Sequence, residues 1–269
     1  MHDPRLTTTP RSRPARGASL PAAVLLAAAC TLTPAVGAEQ AGASTPGAGE
    51  LADRVLDGLG GAEAWEATRY IVFEFAGARS HWWDRYTGRH RMEGSTPEGA
   101  PYVVLHDVHD AGEAGRAWVG GEQLTGEQAA AMVRGAYAAW VNDTFWLISP
   151  YKLRDPGVHL DVAGRETVDG VTYDTLHLSF GDVGLTPGDQ YWMFVHPETG
   201  RVDRWAYVLE SQEPPSTAWR WLDWERYGPG ILLSSRRVRE EDGRTLTLGP
   251  ISVPDELPDA VFDSPEPVD

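Results

Sequence analysis

Cysteine and lysine are nearly missing from this chain of 269 residues: Cys30 is the sole cysteine, and Lys152 the sole lysine among 23 basic residues. With one cysteine, an intramolecular disulfide and a thiolate metal cluster are excluded, so the fold must be held by its core. Long apolar runs are missing too. The one uncharged apolar stretch, 18–29, follows a segment with Arg5, Arg11, Arg13 and Arg16 and a single acid, Asp3. It is shorter than the roughly 20 residues that span a bilayer and is interrupted by Pro21. A basic start followed by about a dozen apolar residues is the pattern of a secretory signal. G-x-S-x-G, H-E-x-x-H, the P-loop and G-x-G-x-x-G are all absent, which removes the common hydrolase and nucleotide signatures, and no cofactor is called for.

The signal has two processing routes. One cuts after Val36-Gly37-Ala38, making residues 1–38 a discarded signal peptide. The other uses Leu26-Ala27-Ala28-Ala29-Cys30, which resembles a bacterial lipobox and makes Cys30 a lipidation candidate and the only route to membrane anchoring. Either way the expected location is outside the cytoplasm, in the periplasm or tethered in the envelope.

Removal of residues 1–38 takes away four Arg and one Asp, leaving 19 basic and 38 acidic residues and a formal charge of −19. Such a surface repels phosphate backbones, so nucleic acid is excluded as a partner. It suits solubility, or a protein-interaction module that meets a cationic partner.

Tryptophan is abundant: eleven residues, all beyond the signal. Residues 39–49 are small and read as a flexible linker. Leu51, Val55, Leu56 and Leu59 then form one helix face ended by Gly60-Gly61. From Arg69 the period becomes two. Strands are expected at 69–75, 79–86, 101–108, 158–163, 172–180, 190–196, 201–209, 217–227, 231–240 and 244–253, most of them separated by short turns, which implies antiparallel hairpins. A helix from Gly126 carries Ala129, Met132, Val133, Ala136, Tyr137 and Trp140, and a second helical piece, 143–147, ends at Ser149-Pro150. Asn142 or Asp143 is placed to cap that second piece. Several strands are apolar on both faces, which suggests a curved sheet packed by helices.

The segments Trp140-Val141-Asn142-Asp143-Thr144-Phe145-Trp146-Leu147, Pro150-Tyr151-Lys152-Leu153, Val168-Asp169-Gly170 and Val183 through Tyr191, with the strand Trp205-Ala206-Tyr207, resemble those of an uncharacterised family of exported bacterial proteins. The resemblance spans roughly residues 51–262, and the architecture is similar to lipoprotein-sorting proteins of the LolA/LolB type. It implies an α+β fold: a strongly curved antiparallel sheet, an unclosed half-barrel of about ten strands, with two or three helices packed on it. It also implies one domain over 50–262, an acidic tail at 263–269, and an apolar cavity for acyl chains.

Three functional readings follow. A non-enzymatic envelope protein would carry an apolar ligand, a lipid acyl chain or a lipidated protein, against Trp83, Trp140, Phe145, Trp146, Trp205, Trp219 and Trp221; these aromatics either form the core or act as a movable lid. An envelope hydrolase would use His106 and His109, or His81, converging with a carboxylate. An interaction module would need neither. The run His106-Asp107-Val108-His109-Asp110 is the best metal candidate, but neighbours on a strand point to opposite faces and a zinc site needs a further ligand from elsewhere.

Overall fold

The structure is a computed structural model that describes residues 47–181, 183–212 and 216–268. The export signal with Cys30, both cleavage alternatives and most of the linker lie outside the described residues. Two short helices, α1 (Ala48–Gly58) and α2 (Gly61–Ala67), precede five strands: β1 (Tyr70–Phe75), β2 (Arg79–Asp84), β3 (Arg89–Ser95), β4 (Pro101–Asp107) and β5 (Gly115–Val119). The two-residue strand β6 (Glu122–Gln123) leads into the long helix α3 (Gly126–Ile148). Six strands follow: β7 (Val158–Val168), β8 (Val171–Phe180), β9 (Gln190–Val195), β10 (Val202–Val208), β11 (Thr217–Tyr227) and β12 (Ile231–Arg239). The chain closes with β13 (Thr245–Thr247), β14 (Ile251–Ser252) and α4 (Ala260–Asp263).

The strands form two seven-stranded antiparallel sheets, in the orders β14-β1-β2-β3-β4-β5-β6 and β13-β12-β11-β10-β9-β8-β7. Besides the passage through α3 from β6 to β7, a short stretch joins the sheets at their other edges: β13 pairs with β12, and a few residues later β14 pairs with β1. The Ala76 N–H donates to the Thr247 carbonyl at 2.8 Å, closing the seam. The result is one curved surface that does not close on itself, with β6 and β7 as its outer edges. Successive hairpins explain the order, since short turns place each strand beside its predecessor.

Helix α3 lies on the concave face, packing against β4 and β5 at its start and near β12 at its end, a length of about 35 Å at 1.5 Å per residue. Its first half sets Val133, Ala136 and Ala139 against Met92, Val104 and Ala117 of β3 to β5. Its last turns press Phe145, Leu147 and Ile148 into the main core with Trp205, Trp219 and Trp221. Trp205 and Trp221 are each 1% exposed, and each such burial contributes up to about 3 kcal/mol. No break separates two helical pieces: Asn142 and Asp143 lie inside α3, so neither caps a helix start. Asp143 is held there by tertiary partners instead.

α1 buries Leu51, Ala52 and Val55, the expected face, and begins at Ala48, inside the stretch read as linker. It ends because Gly60 adopts φ 116°, and a Cβ there would lie 2.5 Å from the Gly230 carbonyl oxygen. On the convex side of β1 to β4 the C-terminal residues form a strap. Arg91, fully buried, donates to the carbonyls of Val261 (3.1 Å), Ser264 (2.6 Å), Pro265 (3.4 Å) and Glu266 (2.7 Å). Tyr70 stacks on Phe262 at 6.4 Å beneath it. Among the described residues no helix is long and apolar enough to cross a membrane.

Candidate functional site: an aromatic slot and a buried histidine row

Strand alternation decides which side chains meet α3. In β2 the residues Arg79, His81 and Trp83 face the concavity, while Ser80, Trp82 and Asp84 face away. Pairing then sets Phe73 beside His81, His81 beside Met92, Trp83 beside His90, and His90 beside His106. Helix α3 lays Asp143 over this row.

The contacts form a continuous chain. Arg79 grips Asp143 through Nε (2.8 Å) and Nη2 (2.9 Å). His81 Nε2 lies 2.9 Å from Asp143 Oδ2, and His81 Nδ1 lies 3.1 Å from His90 Nε2. His90 Nδ1 lies 2.8 Å from His106 Nε2. Asn142 Nδ2 donates to Asp143 Oδ1 at 2.8 Å. Asp143 and His81 are wholly buried, and His90 nearly so. Burial works to raise the Asp143 pKa, but the bonds and charges of His81 and Arg79 outweigh it and hold the carboxyl below its usual range. Burial pushes His90 well below the ordinary imidazole value, helped by its two histidine neighbours. His106 is pushed down to about 4, again by burial.

His81 thus does meet a carboxylate, Asp143, as the hydrolase reading required. Both groups are buried in the core, and among the described residues the hydrogen-bond partners of the His81 ring are Asp143 and His90. Asp84 lies on the other face, held by Arg69 at 2.9 and 3.2 Å. His106 and His109 do not converge: His106 points inward, whereas His109 sits in a turn beside Asp107, 3.5 Å away. No group of three or more His, Cys, Asp or Glu placed to hold a metal occurs among the described residues.

At the far end of α3 the concavity keeps a slot of about 70 Å³. Five aromatic residues (Phe145, Trp146, Tyr191, Trp205 and Tyr207) line it with Leu209 and Asn142. Trp146 is half-buried at its rim and meets Trp205 (4.8 Å), Trp219 (5.1 Å) and Tyr207 (6.0 Å) edge to face. Tyr191 is braced from behind by Asp189, which accepts its hydroxyl at 3.3 Å, that of Thr186 at 2.8 Å and the Glu210 N–H at 2.9 Å. Burial raises the Asp189 pKa, and burial with the Asp189 charge lifts Tyr191 well above the phenol value, so Tyr191 stays protonated. Beneath the last turn of α3, Arg237 is fully buried, donates to the Trp146 carbonyl (2.7 Å) and lies 3.5 Å over the Trp221 ring. A cation at a helix C-terminus complements the carbonyl dipoles there.

Of the seven aromatic residues singled out from sequence, Phe145, Trp146 and Trp205 line the slot. Trp83 and Trp140 pack on each other 5.2 Å apart above His90, and Trp219 and Trp221 fill the core beside Trp146 and Trp205. Tyr207 and Leu209 are not marked by the sequence, because nothing in their spacing shows which half-buried positions border a void; Asn142 is marked there only as a helix cap, and Tyr191 only as the end of the segment 184–191, a turn that can form a pocket rim. Larger hollows lie elsewhere; one of about 550 Å³ beside the strap is lined by Glu74, Arg91 and Glu93 together with Tyr102, Val103 and Trp118, so it mixes charged and apolar groups.

The class of structure is therefore an unclosed antiparallel half-barrel of α+β type, with a helix laid in its concavity. Solved structures with a related course include a DUF1329 family protein from Desulfovibrio piger, 13% identical, covering 82% of this chain and 98% of that one, TM-score 0.44. A LolA superfamily protein from Nitrosomonas europaea is 15% identical over 78% of this chain and 96% of its own, TM-score 0.36. The Mycobacterium tuberculosis lipoprotein LppX is 11% identical over 77% and 97%, TM-score 0.30. No family profile and no curated protein matches the chain. The strand order and pairing described above carry the fold assignment independently of these likenesses.

Proposed function

We propose that this chain is an exported envelope protein with no catalytic role that binds the apolar end of a ligand, an acyl chain of a lipid or of a lipidated protein, in the slot at the end of α3. The observation that carries this reading is the slot itself: a partly open, aromatic-lined void in a half-barrel that α3 otherwise fills. Its volume is about twice the ~30 Å³ share of a liquid water molecule, so the structure holds room for a chain end and not for a whole ligand. Deeper entry requires Trp146 to leave its place among Trp205, Trp219 and Tyr207, which makes Trp146 the gate and the present form the closed one. The abundant tryptophan then serves two purposes, core and gate. The basic, then apolar, first 29 residues support export.

Brominated fatty acid is a direct probe, since bromine quenches indole fluorescence on contact. Saturable quenching in the wild type, abolished by Leu209→Arg at the rim, is the expected result. Absence of saturable quenching in the wild type would overturn the proposal. An acidic interaction module is the second reading; it is favoured only by the net charge, which no local feature of the slot requires.

A further inference from the structure

The links of the row His106–His90–His81–Asp143 measure 2.8, 3.1 and 2.9 Å, and each joins one nitrogen of a ring to the next group. One proton occupies each link. Asp143 is ionised and accepts, so His81 carries its proton on Nε2. In a neutral ring His81 Nδ1 then accepts from His90 Nε2–H, and His90 Nδ1 accepts from His106 Nε2–H. This order leaves one bare acceptor, His106 Nδ1; that buried nitrogen has no side-chain partner, and the Asp107 backbone beside the ring favours a proton on it. An incoming proton therefore has one place to bind.

Binding there and shifting each bridging proton by one link gives a second balanced state. His106 passes its Nε2 proton to His90 Nδ1, and His90 passes its own to His81 Nδ1. His106 and His90 end neutral with Nδ1–H, while His81 ends doubly protonated against Asp143. One proton has entered and none has left. The charge rests where it is best compensated: His90 and His106 have no carboxylate hydrogen-bonded to them, and burial holds both below the ordinary imidazole pKa. His81 has Asp143 at 2.9 Å.

The other groups facing the row are few. β2 contributes Arg79 on the same carboxylate, which limits the store to one proton. β4 contributes Tyr102, near Arg79 and Asp143, and Asp107, which favours a proton on His106. Helix α3 contributes Tyr137, packed on Trp140 at 5.8 Å, and Asn142, while β1 presents only the Phe73 ring, stacked on His81 at 4.7 Å. Asn142 both bonds Asp143 and lines the slot.

We propose that His106, His90 and His81 form a proton relay that takes a proton at His106, stores it at the His81–Asp143 pair and, through Asn142, lowers the affinity of the slot for its apolar ligand in acid. The last step rests on the slot being the ligand site. With His81 charged, a second cation beside Arg79 draws Asp143 away from Asn142, and the released amide makes the slot less apolar.

The test is nitrogen NMR of the histidine side chains in the wild-type mature chain, titrated from about pH 8 to about 4. The relay predicts that His90 and His106 change together from Nε2–H to Nδ1–H as His81 gains its second proton, at one shared midpoint. Imidazolium forming at His106 before His81 gains its second proton, separate midpoints for the tautomer changes, or tautomers that never change would overturn it. Brominated fatty acid is then titrated on either side of that midpoint. Affinity several-fold weaker on the acid side supports the coupling, and equal affinity overturns it. A chain that switches tautomers yet binds no probe at either pH removes the slot as ligand site while leaving the relay standing.

Discussion

Asp143 is the residue on which the concave face turns. Arg79, His81 and Asn142 all bond its carboxylate, and its side chain is wholly out of water. Removing one partner of a buried ion pair strands the other, at a cost of about 3–5 kcal/mol. Asp143→Ala is therefore expected to lose that much unfolding free energy, read from the shift in urea midpoint at unchanged slope. A loss below 1 kcal/mol would show that the pair is replaced by water. The histidines set a pH signature with a definite sign. His90 and His106 are buried neutral with depressed pKa values, so below pH ~6.5 the unfolded chain binds more protons than the folded one. Stability is then full above ~6.5 and falls as pH drops toward about 4, the value for His106, by about 1.4 kcal/mol per pH unit for each ring. Asp143, whose pKa is also depressed, keeps its contribution throughout that window and loses it only as pH falls through its own folded value. Denaturation midpoints at stepped pH check the sign; a chain equally stable at pH 7 and 5 would contradict it.

Among the elements, the C-terminal strap makes the plainest claim. It buries Val261 and Phe262 against Tyr70 and satisfies Arg91 with four carbonyls. Deleting residues 257–269 should cost about 3–6 kcal/mol from the two apolar side chains alone. At about 2–4 °C per kcal/mol for a domain of this size, Tm falls by roughly 6–24 °C in a thermal melt. An unchanged Tm would mean that the strap merely rests on the sheet. The elements also show where sequence reasoning succeeds and where it stops. Strands with period-two alternation, such as β11 at Thr217–Tyr227, were placed within a residue or two. β3 was missed because Arg89-His90-Arg91-Met92-Glu93 reads as polar. In the fold His90 is buried by joining the row and Arg91 by the strap, two partners distant in sequence. β5 and the two-residue β6 were missed as well. α3 was split at Asn142-Asp143 because those residue types favour helix starts, whereas here Arg79 and His81 hold Asp143 in mid-helix. Of the slot, the aromatic residues of α3 and Trp205 were legible, but Tyr191, Tyr207 and Leu209 become its walls only through the pairing of β9 with β10.

At the scale of the molecule, the seam from β13 to β14 makes two meanders into one curved sheet, and the curvature leaves a concavity that α3 nearly fills. A half-barrel so filled has a core from the helix and a site only where the helix packs incompletely. That place is the slot, bordered by Trp146 and by Asn142, the residue that ties it to the histidine row. Ligand binding at this point is the central claim. Its most direct test is native mass spectrometry of the mature wild-type chain purified from its own envelope, with Leu209→Arg in parallel. The account predicts a bound species that carries an acyl chain on the wild type and is missing from the variant. A wild-type chain that is folded yet remains empty after incubation with a lipid extract would contradict it.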